Sequence, residues 1–386
     1  ASKIYQLEQW LPVLDQVHAR HPVLLITRNL GSFRRLQELT TLPLIFTRRL
    51  RDLNSALLAA DPAVCLYVNN SSTNFQVLGW ARALHLHLNH GESDKISMAS
   101  NQAKAYDQVL VAGPAAVQRY ADNLLALDLD RLVTVGRPQL DLAFPPVLAP
   151  SPRTTVLYAP TWEGEMPAMD YTSMTRFGPA LVERLLAGGF RVVYKPHPKI
   201  LTGTVAAKAA HAAVLALLAA HGASAATSGR AGLDGRAQDG APDAVAVDAT
   251  AQPVLSLFGQ CDVLVSDVSS VALDWLYLRT GQPLWLTDVR GDREALVHAS
   301  PLAARTYVLD AESVPHAAEL LQDSVSVDPL AGERAAARSY YFADLQPGES
   351  TRRFLETVDA AVERRTALLA EKVTGPHAYE LEPSAS

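Results

Sequence analysis

The 386-residue sequence has few cysteines, few charged residues and no excess of positive charge. Its two cysteines, Cys65 and Cys261, each lie inside an apolar run, which predicts buried thiols in a reducing compartment and argues against a disulfide framework. Lys and Arg total 34 against 40 Asp and Glu, so the net charge of −6 excludes a global basic field that would hold nucleic acid. Any site for a polyanion must therefore be local.

Long hydrophobic runs and glycine-rich phosphate loops are also missing. No apolar stretch approaches the roughly 20 residues that cross a bilayer, and the nearest, the Ala-rich segment 206–223, carries Lys208 and His211. The chain begins without Met and without a signal-peptide pattern, so we expect a trimmed chain or a piece of a longer protein. The absence of GxGxxG after the first strand and of GxxxxGK[ST] excludes dinucleotide oxidoreductases and P-loop NTPases. We expect a cytoplasmic protein, with any membrane contact peripheral and at the inner face of the plasma membrane.

Short apolar runs alternate with helix-length segments along most of the chain, a pattern typical of parallel sheets covered on both faces. A segment with four prolines, 142–154, divides the series. We predict an α/β protein with two Rossmann-like doubly wound domains, residues 1–145 and 152–345, that face a central cleft. The predicted strands lie at 22–27, 43–47, 63–68, 83–88, 108–112, 132–135, 154–159, 190–195, 244–248, 262–266 and 283–287.

Three further segments complete the predicted organisation. Residues 222–251 are rich in Gly, Ala and Asp, which is typical of a mobile surface insertion. Residues 346–373 predict a C-terminal helix that either closes the second domain or crosses back onto the first, with Ser350 and Thr351 as N-cap candidates. Residues 374–386 predict a flexible tail.

The most informative stretch is "DVLVSDVSSVALDWLYL" (262–278), because a buried strand there is followed by polar residues and a helix. Asp267, Ser269 and Ser270 stand at the strand end and the helix start. Serine hydroxyls beside the free N–H groups of a helix start can hold an anion. The plainer alternative is that serine simply caps its helix.

A second strand ends in "YKPHP" (194–198). Prolines on both sides of His197 restrict the backbone and hold the imidazole in place. Ligands of open α/β sheets bind at the carboxyl ends of strands, so Lys195 and His197 are candidates for contact with a diphosphate. The alternative is a proline turn with a surface lysine and an incidental histidine.

"LHLHLNHGESDK" (84–95) contains three histidines. Alternation along a strand puts His85 and His87 on one face, where a structural role is preferred. His90 follows the strand end, where an imidazole with a pKa near 6.5 suits general-base chemistry. A zinc site at the three histidines is an alternative, but no cysteine or carboxylate completes it at the usual spacing.

Two other turns are candidates. "VLYAPTWEGE" (156–165) follows a strand with Thr161, which could bond a ligand, and Trp162, which could line a pocket. "VTVGRPQLD" (133–141) places Arg137 in a turn, where it either faces a cleft or pairs with an acid. For Thr161 and Trp162 a packed strand-to-helix turn is an equally good interpretation.

Five of these stretches, in order, resemble motifs of the CDP-glycerol glycerophosphotransferase family, the teichoic-acid and capsule polymerases. The chain departs from the family pattern at Asn89, at Glu92–Asp94, at Gln139 and at Val268. The matching stretches are "NHGESDK" (89–95), "GRPQLD" (136–141), "VLYAPTWEG" (156–164), "KPHP" (195–198) and "CDVLVSDVSSVALDWLYLRTGQP" (261–283).

The resemblance implies the GT-B architecture, with the nucleotide donor held by the second domain and the acceptor by the first. It implies transfer of glycerol phosphate from CDP-glycerol to a polyol-phosphate or glycan polymer, without metal or cofactor. His90 would be the general base, and His197, Ser269 and Ser270 would bind the donor diphosphate. A metal-independent glycosyltransferase and a non-catalytic binding homologue stay open as alternatives. The full candidate set is His90 and His197 as catalytic residues, Lys195, His197, Ser269, Ser270, Asp267, Thr161 and Trp162 on the donor side, and Lys95 and Arg137 on the acceptor side.

Overall fold

The computed structural model describes residues 4–89, 91–94, 98–164, 166, 169–225 and 244–374. Its described part forms two compact units. Unit 1 is built from residues up to 91, from 99–142 and from 341 onward, and unit 2 from 92–98 and 143–340. His90, Lys95, residues 226–243 of the predicted insertion and residues 375–386 of the predicted tail lie outside the described residues.

Unit 1 contains two parallel sheets. Strands β1 (Leu25–Thr27) and β2 (Leu44–Phe46) pair with each other. The second sheet has the order β3 (Val64–Tyr67), β4 (Leu84–His87), β5 (Gln108–Val111) and β6 (Leu132–Thr134). The helices before and between these strands are α1 (Tyr5–Glu8), α2 (Leu11–His18), α3 (Leu30–Leu39), α4 (Leu50–Ala60), α5 (Phe75–Leu78) and α6 (Pro114–Asn123).

Unit 2 contains one parallel sheet of seven strands, in the order β13-β12-β11-β7-β8-β10-β9. The strands are β7 (Thr155–Ala159), β8 (Arg191–Tyr194), β9 (Ser224–Ala225), β10 (Ala246–Asp248), β11 (Val263–Ser266), β12 (Leu284–Asp288) and β13 (Tyr307–Asp310). The helices are α7 (Gly178–Ala187), α8 (Val205–Ala220), α9 (Leu255–Phe258), α10 (Ser270–Leu278), α11 (Arg293–Ala299), α12 (Ala317–Ser326) and α13 (Ala331–Phe342), the last two residues of α13 being part of unit 1.

All eleven predicted strands are present, and those at the centre of unit 2 are buried along their whole length. Complete burial explains why these strands are continuous apolar runs without alternation, since helices cover both faces of a parallel sheet. β9 and β13 have no counterpart among the predicted strands. They are the two edge strands of the sheet, and an edge strand needs fewer apolar residues.

The last helix, α14 (Glu349–Thr374), belongs to unit 1. The Phe354 ring lies 5.2 Å from the Trp10 ring, which anchors the helix in the unit 1 core. Its start is held by Asp141, whose carboxylate accepts the N–H groups of Gly348 at 3.0 Å and Thr351 at 2.7 Å. The predicted local caps are therefore wrong: Ser350 and Thr351 lie inside the first turn, and a distant carboxylate accepts the N–H groups there.

Both cysteines are free, and burial raises the pKa of the Cys65 and Cys261 thiols to about 12. A thiol with such a pKa stays protonated and unreactive at neutral pH. Across the described ranges, no helix combines the length and the apolar character that crossing a bilayer requires.

Candidate functional site

The order in which strands are added to the unit 2 sheet reverses at β7. The chain enters at β7, adds β8, β10 and β9 on one side, and then continues with β11, β12 and β13 on the other. The loops that leave the carboxyl ends of the strands diverge at such a switch point and leave a crevice there. The stretches that follow β7, β8 and β11 are the three in which the sequence predicts donor-binding residues.

The loop after β11 carries serines whose hydroxyls do not cap the following helix. Ser269 is the N-cap residue of α10, yet its side chain makes no cap bond. Its Oγ lies 3.2 Å from Ser266 Oγ, and Ser266 donates its own proton to Ala159 O at 2.8 Å. Ser270, the first residue of α10, is half-buried beside it. The capping alternative therefore does not account for Ser269.

The loop after β8 fixes the tautomer of His197. The ring Nδ1 accepts the Lys199 N–H at 3.1 Å, and the His197 peptide N–H donates to Pro160 O at 3.0 Å. A neutral ring whose Nδ1 accepts must carry its proton on Nε2. The arrangement makes His197 a rigid ring with Nε2–H as its donor.

Lys195 lies in the same loop and is half-buried. Its Nζ donates to Thr250 O, at 2.6 Å, in the turn that follows β10. Burial lowers the pKa of Lys195 to about 8, and the negative charge of Asp248 offsets part of this effect. The ammonium group is therefore mostly charged at neutral pH and loses its charge in mildly alkaline solution.

The loop after β7 places an aromatic ring against His197. The Trp162 ring stacks on His197 with centroids 6.2 Å apart and an interplanar angle of 28°. Lys199 also lies over the Trp162 ring, with its Nζ 3.4 Å from the ring centroid. The Trp162 ring therefore contacts both the His197 imidazole and the Lys199 ammonium group.

Asp267, in the loop after β11, binds the segment after β7 and the end of β12. The carboxyl group is fully buried, and it accepts the N–H of Thr161 at 2.7 Å and of Ser173 at 3.2 Å, and the hydroxyl of Thr287 at 2.5 Å. Burial raises the pKa of Asp267 to about 6, although the three donated bonds act in the opposite direction. These contacts position the β7 loop. A direct role of Asp267 in donor binding stays a prediction.

Thr161 is itself buried, and its backbone is held on both sides. Its N–H goes to Asp267, and its carbonyl accepts the Thr172 hydroxyl at 2.7 Å. The strand-to-helix packing interpretation of this turn therefore has direct support for Thr161, and its ligand role stays a prediction.

Arg137 lies in unit 1, in a turn whose backbone conformation depends on the preceding Gly136. Gly136 has φ +77°, and a Cβ there would fall 2.2 Å from Ser350 Oγ, so the turn requires glycine. The Arg137 side chain is buried, and its Nε donates to Gln139 Oε1 at 3.4 Å. Its predicted role toward the acceptor is untested.

The histidines of β4 have structural contacts. His85 bonds Tyr67 OH at 2.7 Å through Nδ1 and Trp80 O at 3.0 Å through Nε2, and His87 stacks on Tyr106 with centroids 4.9 Å apart. These contacts support the structural interpretation of both residues over zinc binding. His90 and Lys95, the predicted base and acceptor-side lysine, lie outside the described residues.

Several residues of this region are not among those predicted from the sequence. Lys199 is two positions from His197 and belongs to the same turn, so this spacing was enough to predict Lys199 as a residue of the same region. Arg290, in the loop after β12, lies 5.1 Å from the Tyr171 ring. Ser173 and Thr287, which hold Asp267, have no local signal because they come from separate parts of the chain.

Several solved structures share the fold of this chain. It superposes on the wall teichoic acid polymerase TagF, in crystals soaked with CDPG, with a TM-score of 0.59 and 12% identity over 92% of this chain and 85% of that chain. A Listeria monocytogenes protein assigned as a UDP-N-acetylglucosamine 2-epimerase gives a TM-score of 0.59 and 10% identity over 94% of both chains. The UDP-GlcNAc 2-epimerase from Neisseria meningitidis bound to UDP-GlcNAc gives 0.55 and 11%, over 92% and 96%. No family model matches the chain, and no curated protein matches it significantly.

These comparisons confirm the predicted fold class. The chain is an α/β protein with parallel sheets in both units, and it has the GT-B fold that these transferases and epimerases share. Identities of 10–12% establish the fold alone, so the chemistry has to be argued from the residues.

Proposed function

We propose that the chain transfers glycerol phosphate from CDP-glycerol to a hydroxyl group of a lipid-linked teichoic-acid-like or capsule-like acceptor and releases CMP. The observation that carries this proposal is the switch point of unit 2, where loops after β7, β8 and β11 leave the same edge of the sheet. Those loops contain the three motifs of unit 2 that resemble the glycerophosphotransferase family. The likeness to the wall teichoic acid polymerase TagF supports the same choice.

In this proposal the donor diphosphate lies against the start of α10. The Nε2–H of His197, the Ser269 and Ser270 hydroxyls and the first N–H groups of α10 are the donors. The hydrogen bond between the Ser269 and Ser266 hydroxyls is long, and a phosphate oxygen would readily replace Ser266 as the partner of Ser269. Trp162 lines the pocket, and Lys195 supplies positive charge. Phosphoryl transfer depends mainly on positioning and on charge stabilisation, which such a set provides.

The general base is His90, a role carried over from the family resemblance. Its imidazole takes the proton of the acceptor hydroxyl, the oxygen attacks the phosphorus that bears glycerol, and the bond from that phosphorus to the bridging oxygen breaks. The electron pair leaves with CMP, whose charge the donor-binding groups stabilise.

His90→Ala should therefore lose activity by ~10²- to 10⁴-fold, since a lone general base contributes about that much. The variant should fold and bind CDP as the wild type does. His298→Ala, an exposed histidine of α11, is the matched control and should keep full activity. Wild-type turnover in His90→Ala would refute the assignment.

The decisive experiment supplies CDP-glycerol, CDP-ribitol or UDP-N-acetylglucosamine with a polyol-phosphate acceptor and measures the nucleotide released. CMP from CDP-glycerol supports the proposal. UDP from the nucleotide sugar, or its epimerisation, would favour the second candidate, a nucleotide-sugar enzyme, which the equal likeness to UDP-sugar epimerases supports. Tight CDP binding with no turnover would indicate a non-catalytic homologue.

A further inference from the structure

Unit 1 carries a concentration of positive charge that the net charge of the protein conceals. Residues 27–52 contain six Arg against one Glu and one Asp, a net charge of +4, in a chain whose total is −6. The remainder of the chain therefore carries −10. The six are Arg28, Arg34, Arg35, Arg48, Arg49 and Arg51.

Strand pairing brings the two halves of this segment together. β1 and β2 are parallel neighbours in register, with Thr27 opposite Phe46, so the residues that follow them emerge at one edge. Arg28 joins the two loops, because its Nε donates to Thr47 O at 3.1 Å and its Nη2 to Arg48 O at 2.7 Å. The same guanidinium bonds the side chain of Gln76, next to the exposed Phe75.

Exposed leucines stand beside these arginines. Leu30 and Leu50, the first residues of α3 and α4, are 47% and 49% exposed. Arg48, Arg49 and Arg51 are exposed, the last with 82% of its side-chain surface. Arg34 lies one helical turn after Leu30, on the same side of α3. Both leucines keep about half of their surface exposed, whereas the buried positions of α4 are Leu53 and Leu57.

We propose that this surface, which we call the arginine–leucine edge (Leu30, Arg34, Arg48, Arg49, Leu50 and Arg51), docks unit 1 on a lipid bilayer that carries anionic headgroups. Guanidinium groups complement phosphate and carboxylate headgroups, and each basic residue near such a surface adds to binding. Leucine side chains between them can enter the boundary between headgroups and acyl chains. A soluble polyanion would use the arginines alone. The proposal does not depend on which group the protein transfers.

The test is sedimentation of the protein with phosphatidylcholine vesicles that contain about one third phosphatidylserine, and with phosphatidylcholine alone. The wild type should bind the anionic vesicles only, and salt should weaken binding. Arg48→Glu/Arg49→Glu should reduce the partition coefficient by about 25-fold or more, since each basic residue near the surface gives about fivefold. Arg48→Lys/Arg49→Lys should bind nearly as the wild type does.

Leu30→Ser/Leu50→Ser should reduce vesicle binding by about tenfold or more, because apolar insertion is lost while the charge stays. The matched controls are Arg176→Glu/Arg184→Glu, which makes the same change of net charge on exposed residues of unit 2, and Leu125→Ser, an 88% exposed leucine of unit 1. Both should bind as the wild type does. Circular dichroism and gel filtration verify that every variant is folded.

Two outcomes would overturn the proposal. One is an equal loss in the controls, which would mean that net charge alone governs binding. The other is unchanged vesicle binding of Leu30→Ser/Leu50→Ser together with competition by soluble polyphosphate. That result would assign the edge to an anionic polymer.

Discussion

At His197, backbone geometry decides which ring nitrogen carries the proton. The Lys199 N–H occupies Nδ1, and Pro196 and Pro198 restrict the backbone on both sides. A histidine held in this way needs no rotation to present Nε2–H to an oxyanion, so little conformational entropy is lost on binding. The stacked Trp162 ring restricts the imidazole further.

His197→Asn should separate the two roles of this residue. Asparagine is a good acceptor at the start of a helical turn and can take the Lys199 N–H, but it has no counterpart of Nε2–H. We expect stability within about 0.5 kcal/mol of the wild type. The dissociation constant for CDP should rise by about 10- to 100-fold, as for the loss of a charge-assisted hydrogen bond. Calorimetric titration and urea denaturation measure both, and unchanged CDP affinity would contradict the assignment.

If Lys195 contacts the donor, as we propose, CDP binding should depend on pH. Since burial lowers the pKa of Lys195 to about 8, its charge is present below that pH and is lost above it. Affinity for CDP should therefore be level near pH 7 and fall by up to tenfold per pH unit above about pH 8. Lys195→Arg keeps its charge and should abolish the decline. A wild-type affinity that stays constant to about pH 9.5 would show that Lys195 does not face the ligand.

At the scale of elements, the start of α10 differs from an ordinary capped helix. Ser269→Ala should leave stability almost unchanged, because the Ser269 side chain makes no cap bond. Asp292→Ala is the matched control in the same unit, since Asp292 caps α11 by accepting the Ala295 N–H at 2.9 Å. The control should lose about 1 kcal/mol in thermal or urea unfolding.

CDP affinity should rank the two variants in the opposite order to stability. Ser269→Ala should weaken CDP affinity by several-fold or more, in keeping with loss of one hydrogen bond to a charged group, while Asp292→Ala should bind normally. If Ser269→Ala were as destabilised as the control and bound CDP normally, the serine would be a cap after all.

The strands and the loops at their ends could be predicted from sequence because both depend on local signals. Apolar runs mark the buried strands, and the strand end fixes which edge of the sheet a polar residue occupies. Contacts between distant parts of the chain leave no such signal. Asp141 holds the start of α14 from some two hundred positions away, so the nearby Ser350 and Thr351 misled the prediction.

The arginine–leucine edge also depends on segments that are separate in the sequence, so no local signal predicts it. No single helix in the described part of the chain carries the edge, because it is divided between the starts of α3 and α4. The two groups of residues form one surface only because β1 pairs with β2. A surface that is assembled by a sheet has no periodicity along the chain, so composition over 27–52 is the only sequence signal it leaves.

At the scale of the whole molecule, Asp267 links the functional loops to the stability of unit 2. Its three donors come from the β7 loop, from the segment before α7 and from the end of β12. A buried carboxylate at this junction orders the loops, and it also makes folding depend on pH, because its pKa is about 6 in the folded protein and near 3.9 when unfolded.

The sign of that dependence follows from proton uptake. Between about pH 4 and pH 6 the folded state binds more protons at Asp267 than the unfolded state, so the free energy of unfolding falls as the pH rises and levels off above about pH 6. The contribution is on the order of 3 kcal/mol. Asp267→Asn cannot titrate, and its amide N–H₂ would face the Thr161 or Ser173 N–H, so it should be less stable by about 1–3 kcal/mol at neutral pH. Urea unfolding at several pH values should show the gap between wild type and variant widening toward pH 4, whereas Asp292→Asn should keep a wild-type slope through the pH 5–6 range. Parallel curves for wild type and Asp267→Asn would mean that the pKa of Asp267 is the same in the folded and unfolded states, with its three hydrogen bonds cancelling the effect of its burial.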